Sequence, residues 1–283
     1  MPGKPCTSSE QSYCHPNRYR AECGPVLGAL AALHDYDGIY RFSHGPGELQ
    51  VPTYFNLDHE PVGQLSDRIL HFLFVRGDVA PARETLAYTW TPELVRELSN
   101  RNDAFPEDAF RLGLYGATGG LPATAPLPWD GVRPVPLGPG WEASLPAPWT
   151  RALEAIRKRE KIRSATGELE FDPVGRTLRV VSPRSEALVL RGAPLSGNCL
   201  SADKSEGFQV VTAHALDREP LERSTSILVF HLVNTLASGM RFYDASMTLL
   251  EDWGKLPLLA QAARADLTIR HPRAERLRVF RIN

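Results

Sequence analysis

Apolar positions along the first part of the chain alternate between strand-like and helix-like spacing. A short polar strand over residues 6–10 leads into a loop, and apolar residues then recur at helical spacing over residues 25–33. A strand rich in aromatic residues over 36–42 and a second helix over 64–75 follow. The order strand, helix, strand, helix is typical of a parallel sheet covered by helices, and it predicts two βα units.

The pattern becomes mixed beyond the second helix. Residues 84–98 predict a strand and a short helix, and residues 149–161 predict an amphipathic helix. Prolines crowd residues 121–148, with Trp129 and Trp141 between them. Because this stretch has tryptophans and no Ser/Gly tracts, we expect an ordered crossing packed on its neighbours.

The remainder of the chain is a series of short β-type runs divided by turn residues. We predict strands over residues 168–171, 177–181, 187–190, 208–213, 227–233 and 276–282. Repeated short strands of this kind indicate an antiparallel β-sandwich. The sequence therefore predicts three parts, which are the two βα units in 1–80, a mixed α/β connecting region in 81–166 and a β-sandwich domain in 167–283.

Composition and charge exclude several classes of protein. The 283 residues are 42% hydrophobic and 23% charged, as in folded globular chains. Lys and Arg number 32 against 33 Asp and Glu, a balance that gives no basic field and argues against a nucleic-acid partner. The apolar runs are far shorter than the ~20 residues that cross a bilayer, so no membrane partner is expected. The opening residues lack the features of a signal peptide, which leaves the localisation unknown.

Four cysteines occur without CxxC spacing, and we expect them to be free thiols. The sequence contains no GxGxxG, no phosphate-binding loop, no HExxH and no GxSxG nucleophile elbow. We therefore expect no cofactor and no metal.

Glu10, at the end of the first strand, is the first candidate for chemistry. The loop that follows carries Tyr13, His15 and Asn17. A carboxylate at the carboxyl end of a parallel strand is where (β/α)8 enzymes place catalytic groups. The same pattern fits a surface or salt-bridged glutamate, so the residues alone leave both readings open.

The second strand supplies further candidates in Tyr40, Phe42 and His44. Its aromatic residues fit either a ligand platform or a core, and His44 fits either a polar cleft or an exposed loop. The spacing of these residues in the sequence does not distinguish between the alternatives.

These segments together resemble a known family. Lys4-Pro-Cys-Thr-Ser-Ser-Glu10, followed by His15-Pro-Asn-Arg-Tyr-Arg-Ala-Glu22, resembles the seventh strand and following loop of clan A retaining glycoside hydrolases, in particular bacterial β-galactosidase-like members. Tyr36-Asp-Gly-Ile-Tyr-Arg-Phe42 resembles the eighth strand. The resemblance implies an α/β plus β fold, with the last two βα units of a (β/α)8 barrel followed by a mainly antiparallel β-sandwich.

The resemblance also implies an activity on glycosidic bonds of a carbohydrate substrate. Glu10 would be the nucleophile, and the substrate-binding residues would be Tyr13, His15, Asn17, Tyr40, Phe42 and His44. Retaining hydrolysis needs a second carboxyl group, which this family takes from its fourth barrel strand. No segment here matches that strand, so the chain is expected to be inactive alone and to need an N-terminal barrel portion or a homo-oligomer as partner.

Two other functions compete with hydrolysis. The β-rich part could be a carbohydrate-binding module that uses exposed Trp129, Trp141 or Trp149, without catalysis. The chain could instead be a structural interaction protein that forms a dimer through the surface of residues 1–80.

Overall fold

Two strands and two helices alternate at the start of the chain in the computed structural model, which describes residues 2–45, 47, 48, 50–101 and 106–282. The elements are β1 (Thr7–Gln11), α1 (Cys23–Leu33), β2 (Gly38–Arg41) and α2 (Pro61–Leu70), the last prolonged by a π turn over His71–Val75. β1 and β2 pair in parallel, as expected for strands joined by a helical crossover.

Local chemistry explains where α2 begins and how closely α1 approaches it. The Glu60 carboxylate caps α2 by accepting hydrogen bonds from the backbone N–H groups of Val62 and Gly63, and Pro61 occupies the first helical position. Gly24 of α1 faces Ser66 of α2, and a Cβ atom on Gly24 would collide with the Ser66 carbonyl. Glycine at this position therefore permits the contact between the two helices.

The middle part of the chain contains a second parallel sheet. Its elements are β3 (Thr85–Trp90), α3 (Pro92–Arg101), α4 (Glu107–Arg111), β4 (Ala117–Pro122), β5 (Val132–Pro136) and α5 (Ala147–Lys158). Strand β3 lies between β4 and β5 and is parallel to both. Pro134 and Pro136 lack an N–H group, which suits β5 to its position at the edge of the sheet.

The last part is built from antiparallel strands. They are β6 (Ile162–Arg163), β7 (Leu169–Asp172), β8 (Thr177–Val181), β9 (Ser185–Arg191), β10 (Leu195–Ser196), β11 (Leu200–Asp203), β12 (Phe208–Ala215), β13 (Ile227–Leu232), β14 (Thr235–Ser238), β15 (Arg241–Phe242), β16 (Leu250–Asp252), β17 (Lys255–Ala260) and β18 (Asp266–Ile269). Six of them form one sheet in the order β13-β12-β9-β8-β7-β6, and β10-β11-β18 form a smaller one.

The six-stranded sheet is covered on both faces. Val189 and Val210 pack with Leu33 and Ile69 of the two helices in one core cluster. Leu188 of the same sheet packs in another cluster, with residues of the β10-β11-β18 sheet. Double coverage explains why six consecutive residues of β9, from Ser185 to Leu190, are all buried. The proposed boundaries at 80 and 166 stay a prediction, although the first and last parts share a core.

The predicted fold class is wrong in its central feature. β1 and β2 pair only with each other among the described strands, and no (β/α)8 fragment is formed. The large antiparallel sheet packs on helices across one face and on a three-stranded sheet across the other, in a mixed α/β arrangement. The physical reason is that alternating strand and helix patterns specify local βα connections, whereas barrel closure depends on strand number and stagger.

Two local predictions also differ from the structure. Residues 276–282 alternate like a strand, but they pair with no other strand in the part of the chain that the structure describes. A 3₁₀ turn over Ala274–Arg276 precedes an exposed tail. Strands β4 and β5 fall within or next to the segment predicted as a proline-rich crossing, where glycine and proline hide the β pattern.

Candidate functional site

The carboxyl ends of β1 and β2 lie side by side. Gln11 is in register with Arg41, and the Phe42 N–H group donates to the Gln11 carbonyl at 3.1 Å. The register shifts between Ser8 and Gln11, so Glu10 lies in an irregular stretch of β1. Its side chain is exposed, and no hydrogen bond or ion pair to its carboxylate occurs among the described residues. A free carboxylate therefore stands at this edge of the sheet.

Arg41 shows which face of the strand pair meets the helices. Its guanidinium donates to Asp67 on α2 at 3.0 Å, to the Gln11 carbonyl at 3.0 Å and to the Cys23 sulfur at 3.6 Å. Burial raises the pKa of Asp67, and the Arg41 charge acts in the opposite direction. This ion pair holds the end of β2 against α2.

Tyr40 and Phe42 lie on the opposite face of the strand pair, because side chains alternate along a strand. A Cβ atom on Gly38 would contact both the Thr7 and Tyr40 side chains, so these three positions share that face. We call it the open face, since Tyr40 is 62% exposed and Phe42 is 42% exposed. The structure thus brings both predicted aromatic residues to the strand edge that carries Glu10.

The loop after β1 carries His15 and Asn17, both of which were predicted to bind substrate. His15 is only 2% exposed, and neither ring nitrogen has a hydrogen-bond partner in the part of the chain that is described. Burial, helped by the Arg20 charge, lowers the pKa of His15 to about 4, so the ring is neutral at pH 7. Asn17 caps a turn, its side-chain oxygen accepting from the Tyr19 N–H at 2.9 Å. Neither side chain forms a hydrogen bond with Glu10 among the described residues.

Tyr13 and His44 flank the strand ends. Tyr13 is partly buried, and burial, with smaller contributions from Cys23 and Glu22, raises its pKa to about 12. Burial also raises the pKa of Glu22, just before α1. His44 is exposed, and its carbonyl accepts the N–H groups of Leu57 and Asp58. The phenol of Tyr13 therefore stays protonated at neutral pH, and His44 anchors the following loop through its backbone.

A buried group of serine, histidine and aspartate lies elsewhere, and spacing in the sequence gave no sign of it. The Ser185 hydroxyl donates to Asp78 at 2.5 Å and lies 2.6 Å from His214 Nδ1, while His214 Nε2 lies 2.8 Å from the Thr212 hydroxyl. Serine stands between the other two residues, whereas a catalytic triad places histidine in the middle. Ser185 and His214 are also fully buried, which makes this network structural.

Other features of a site can be placed only partly. The described residues contain no cluster of His, Cys, Asp and Glu suited to a metal ion, and no described helix is long and apolar enough to cross a membrane. Two surface depressions, one lined by Tyr115 and Arg151 and the other by His59 and Leu256, do not include Glu10. Trp141 and Trp149 are buried, so neither is available to stack on a sugar.

Comparisons of this chain with protein-family models, with curated proteins and with solved structures gave no match.

Proposed function

We propose that the chain provides the nucleophile of a retaining glycoside hydrolase site, with Glu10 as the attacking carboxylate. The observation that supports this proposal is the parallel pairing of β1 and β2. The free Glu10 carboxylate lies near the carboxyl end of one strand, and exposed Tyr40 and Phe42 lie at the carboxyl end of the other. Exposed aromatic groups beside a few polar ones are typical of ligand sites. The resemblance of residues 4–42 to retaining glycosidases supports the same function.

The proposed chemistry follows from the geometry that retaining enzymes need. Glu10 would attack the anomeric carbon and form a covalent glycosyl-enzyme, which water then hydrolyses. A second carboxyl group, about 5–5.5 Å away, would protonate the leaving oxygen and later activate that water. This chemistry does not depend on one fold, because catalytic groups are placed by the local site.

We place the second carboxyl group on a partner polypeptide that covers the open face. Parallel strands are almost always covered on both faces, yet the open face of β1 and β2 exposes Tyr40 and Phe42. A partner seated there would shield these rings from water. It would also bring its own acidic side chain close to Glu10.

The nucleophile can be tested separately from the acid. A 2,4-dinitrophenyl 2-deoxy-2-fluoroglycoside has a leaving group that departs without protonation, so it traps the nucleophile even where the acid is missing. We expect galactosyl or glucosyl reagents to add one fluorosugar to the peptide that contains Glu10, detected by mass spectrometry. The Glu10→Gln variant would remain unlabelled.

Glu160→Gln is the matched control, because Glu160 is also exposed and its carboxylate has no partner among the described residues. This variant should be labelled like the wild type. Labelling of Glu10→Gln at the wild-type rate, or labelling of a different acidic residue, would remove Glu10 from the role of nucleophile.

A further inference from the structure

A row of aromatic rings leads away from the open face. The ring centroids of Phe42 and Phe55 are 5.2 Å apart, and those of Phe55 and Tyr54 are 6.3 Å apart. Tyr54 then meets Trp253 edge to face at 4.8 Å. These four residues, which we call the aromatic row, connect the end of β2 to the turn between β16 and β17.

The aromatic row is held in place from behind. The backbone N–H group of His15 donates to the Tyr54 carbonyl at 2.8 Å. The buried His15 ring stacks on Trp253, with 6.3 Å between the ring centroids. The Ser43 N–H group donates to the Phe55 carbonyl at 3.0 Å. The rings at the far end of the row are therefore positioned before any ligand arrives, which lowers the entropic cost of binding.

The row remains accessible although its backbone is fixed. Tyr54 is 56% exposed, Phe55 and Phe42 are exposed, and Trp253 is partly exposed. A contiguous exposed apolar patch of this kind marks an interaction site. Its members carry no formal charge, and the Tyr54 hydroxyl and Trp253 N–H add polar groups to the ring faces. These properties fit a neutral ligand with both apolar faces and hydroxyl groups, which is the chemistry of an oligosaccharide.

We propose that Tyr54 and Trp253 form a distal sugar-binding position that holds a neutral oligosaccharide whose other end lies at Glu10. The inference rests on the proposed function, since continuity of the row with the open face connects the two positions. Phe42 and Phe55 bridge them, with ring-to-ring steps of 5.2 and 6.3 Å. Longer oligosaccharides therefore bind more tightly than monosaccharides.

The test is calorimetric titration of the full chain with galacto- and cello-oligosaccharides of one to five units. We expect affinity to rise with length, and Trp253→Ala to weaken binding of the tetramers about tenfold. Trp253→Phe keeps an aromatic ring and should retain most of the increase in affinity with length. It also shows whether the alanine variant loses binding only because it misfolds. Trp129→Ala is the matched control, because Trp129 is an exposed tryptophan outside the row.

Failure of this inference is distinguishable from failure of the proposed function. Fluorosugar labelling of Glu10 without any length dependence would overturn the distal position and leave the nucleophile in place. Length-dependent binding that Trp253→Ala removes, without labelling of Glu10, would support the distal position and remove Glu10 from the role of nucleophile. Absence of binding in both series, together with self-association that Trp253→Ala abolishes, would identify the row as a protein contact and overturn the proposal.

Discussion

The Arg20 guanidinium and the Glu60 carboxylate form an ion pair at 2.9 Å in which the two side chains are only 1% and 3% exposed. Arg20 also donates to the Asn234 side chain at 2.5 Å and to the Thr235 carbonyl at 2.8 Å. Burial alone would raise the pKa of Glu60, but the Arg20 charge and hydrogen bonds outweigh it and the pKa is lowered. The pair joins the start of α2 to β14 and so connects the first and last parts of the chain.

Replacing one member of this pair should destabilise the protein strongly. Arg20→Met leaves the Glu60 carboxylate buried without a cation, with only the Val62 and Gly63 N–H groups and the Thr235 hydroxyl as donors. We expect the free energy of unfolding to fall by about 3–5 kcal/mol in urea denaturation. Arg96→Met is the control, because its ion pair with Glu93 is exposed and should contribute little. The double variant Arg20→Met/Glu60→Gln should recover part of the loss. Equal stability of the two single variants would show that the buried pair does not act in this way.

The four cysteines should divide into two reactivity classes. Cys23 and Cys199 are buried, and burial raises the pKa of each thiol to about 11. Cys6 and Cys14 are partly exposed, and all four are free. Because the thiolate is the reactive form, iodoacetamide at pH 8 should modify only Cys6 and Cys14 in the native protein, and all four in guanidinium. Peptide mass spectrometry gives the answer, and early modification of Cys23 would contradict it.

The four cysteines are free thiols in the structure, and most predicted helices and strands lie close to their observed bounds. Strand β8 was predicted at its observed bounds because Leu178 and Val180 alternate cleanly with polar residues. The tail over 276–282 shows the limit of this signal, since alternation describes a strand's faces but not whether a partner is present. β5 was not predicted, because its prolines are unfavourable in most strands. An edge strand tolerates proline, since its outer N–H groups need no partner.

The candidate site could be predicted only where a strand fixed it. Glu10, Tyr40 and Phe42 lie at or near the carboxyl ends of two paired strands, because the ends of neighbouring parallel strands meet on the same side of a sheet. His15 was predicted to bind substrate, and the fold buries it against Trp253, more than 200 residues away in sequence. No periodicity links a loop residue to such a distant turn, which is why the aromatic row was not foreseen.

Trp129 and Trp149 should differ sharply in their effect on stability. Trp149 is buried in the core beside Ala152 and Tyr115, whereas Trp129 is exposed. Trp149→Ala leaves a large cavity, and we expect a loss of about 3–5 kcal/mol. Trp129→Ala should change the free energy of unfolding by less than about 0.5 kcal/mol. Similar losses in both variants, measured by urea denaturation, would place Trp129 in a contact that the structure does not contain.

His214 should make the stability of the protein depend on pH below neutrality. Burial, with a smaller contribution from the Arg76 charge, lowers the pKa of His214 to about 3, below the ~6.5 expected for an unfolded chain. The unfolded chain therefore binds more protons between these values. The stabilisation is fully present above pH ~6.5, decreases as the pH falls, and stops changing below the folded pKa.

The His214→Gln variant isolates this effect, because the other titrating groups are present in both proteins. Glutamine can keep hydrogen bonds to Ser185 and Thr212, which lie 2.6 and 2.8 Å from the histidine nitrogens. We expect the wild type to lose about 2 kcal/mol more than the variant in free energy of unfolding between pH 7 and 5. Parallel curves for His214→Gln and wild type would mean that His214 is not held neutral, since a buried ring that stays uncharged must oppose proton uptake.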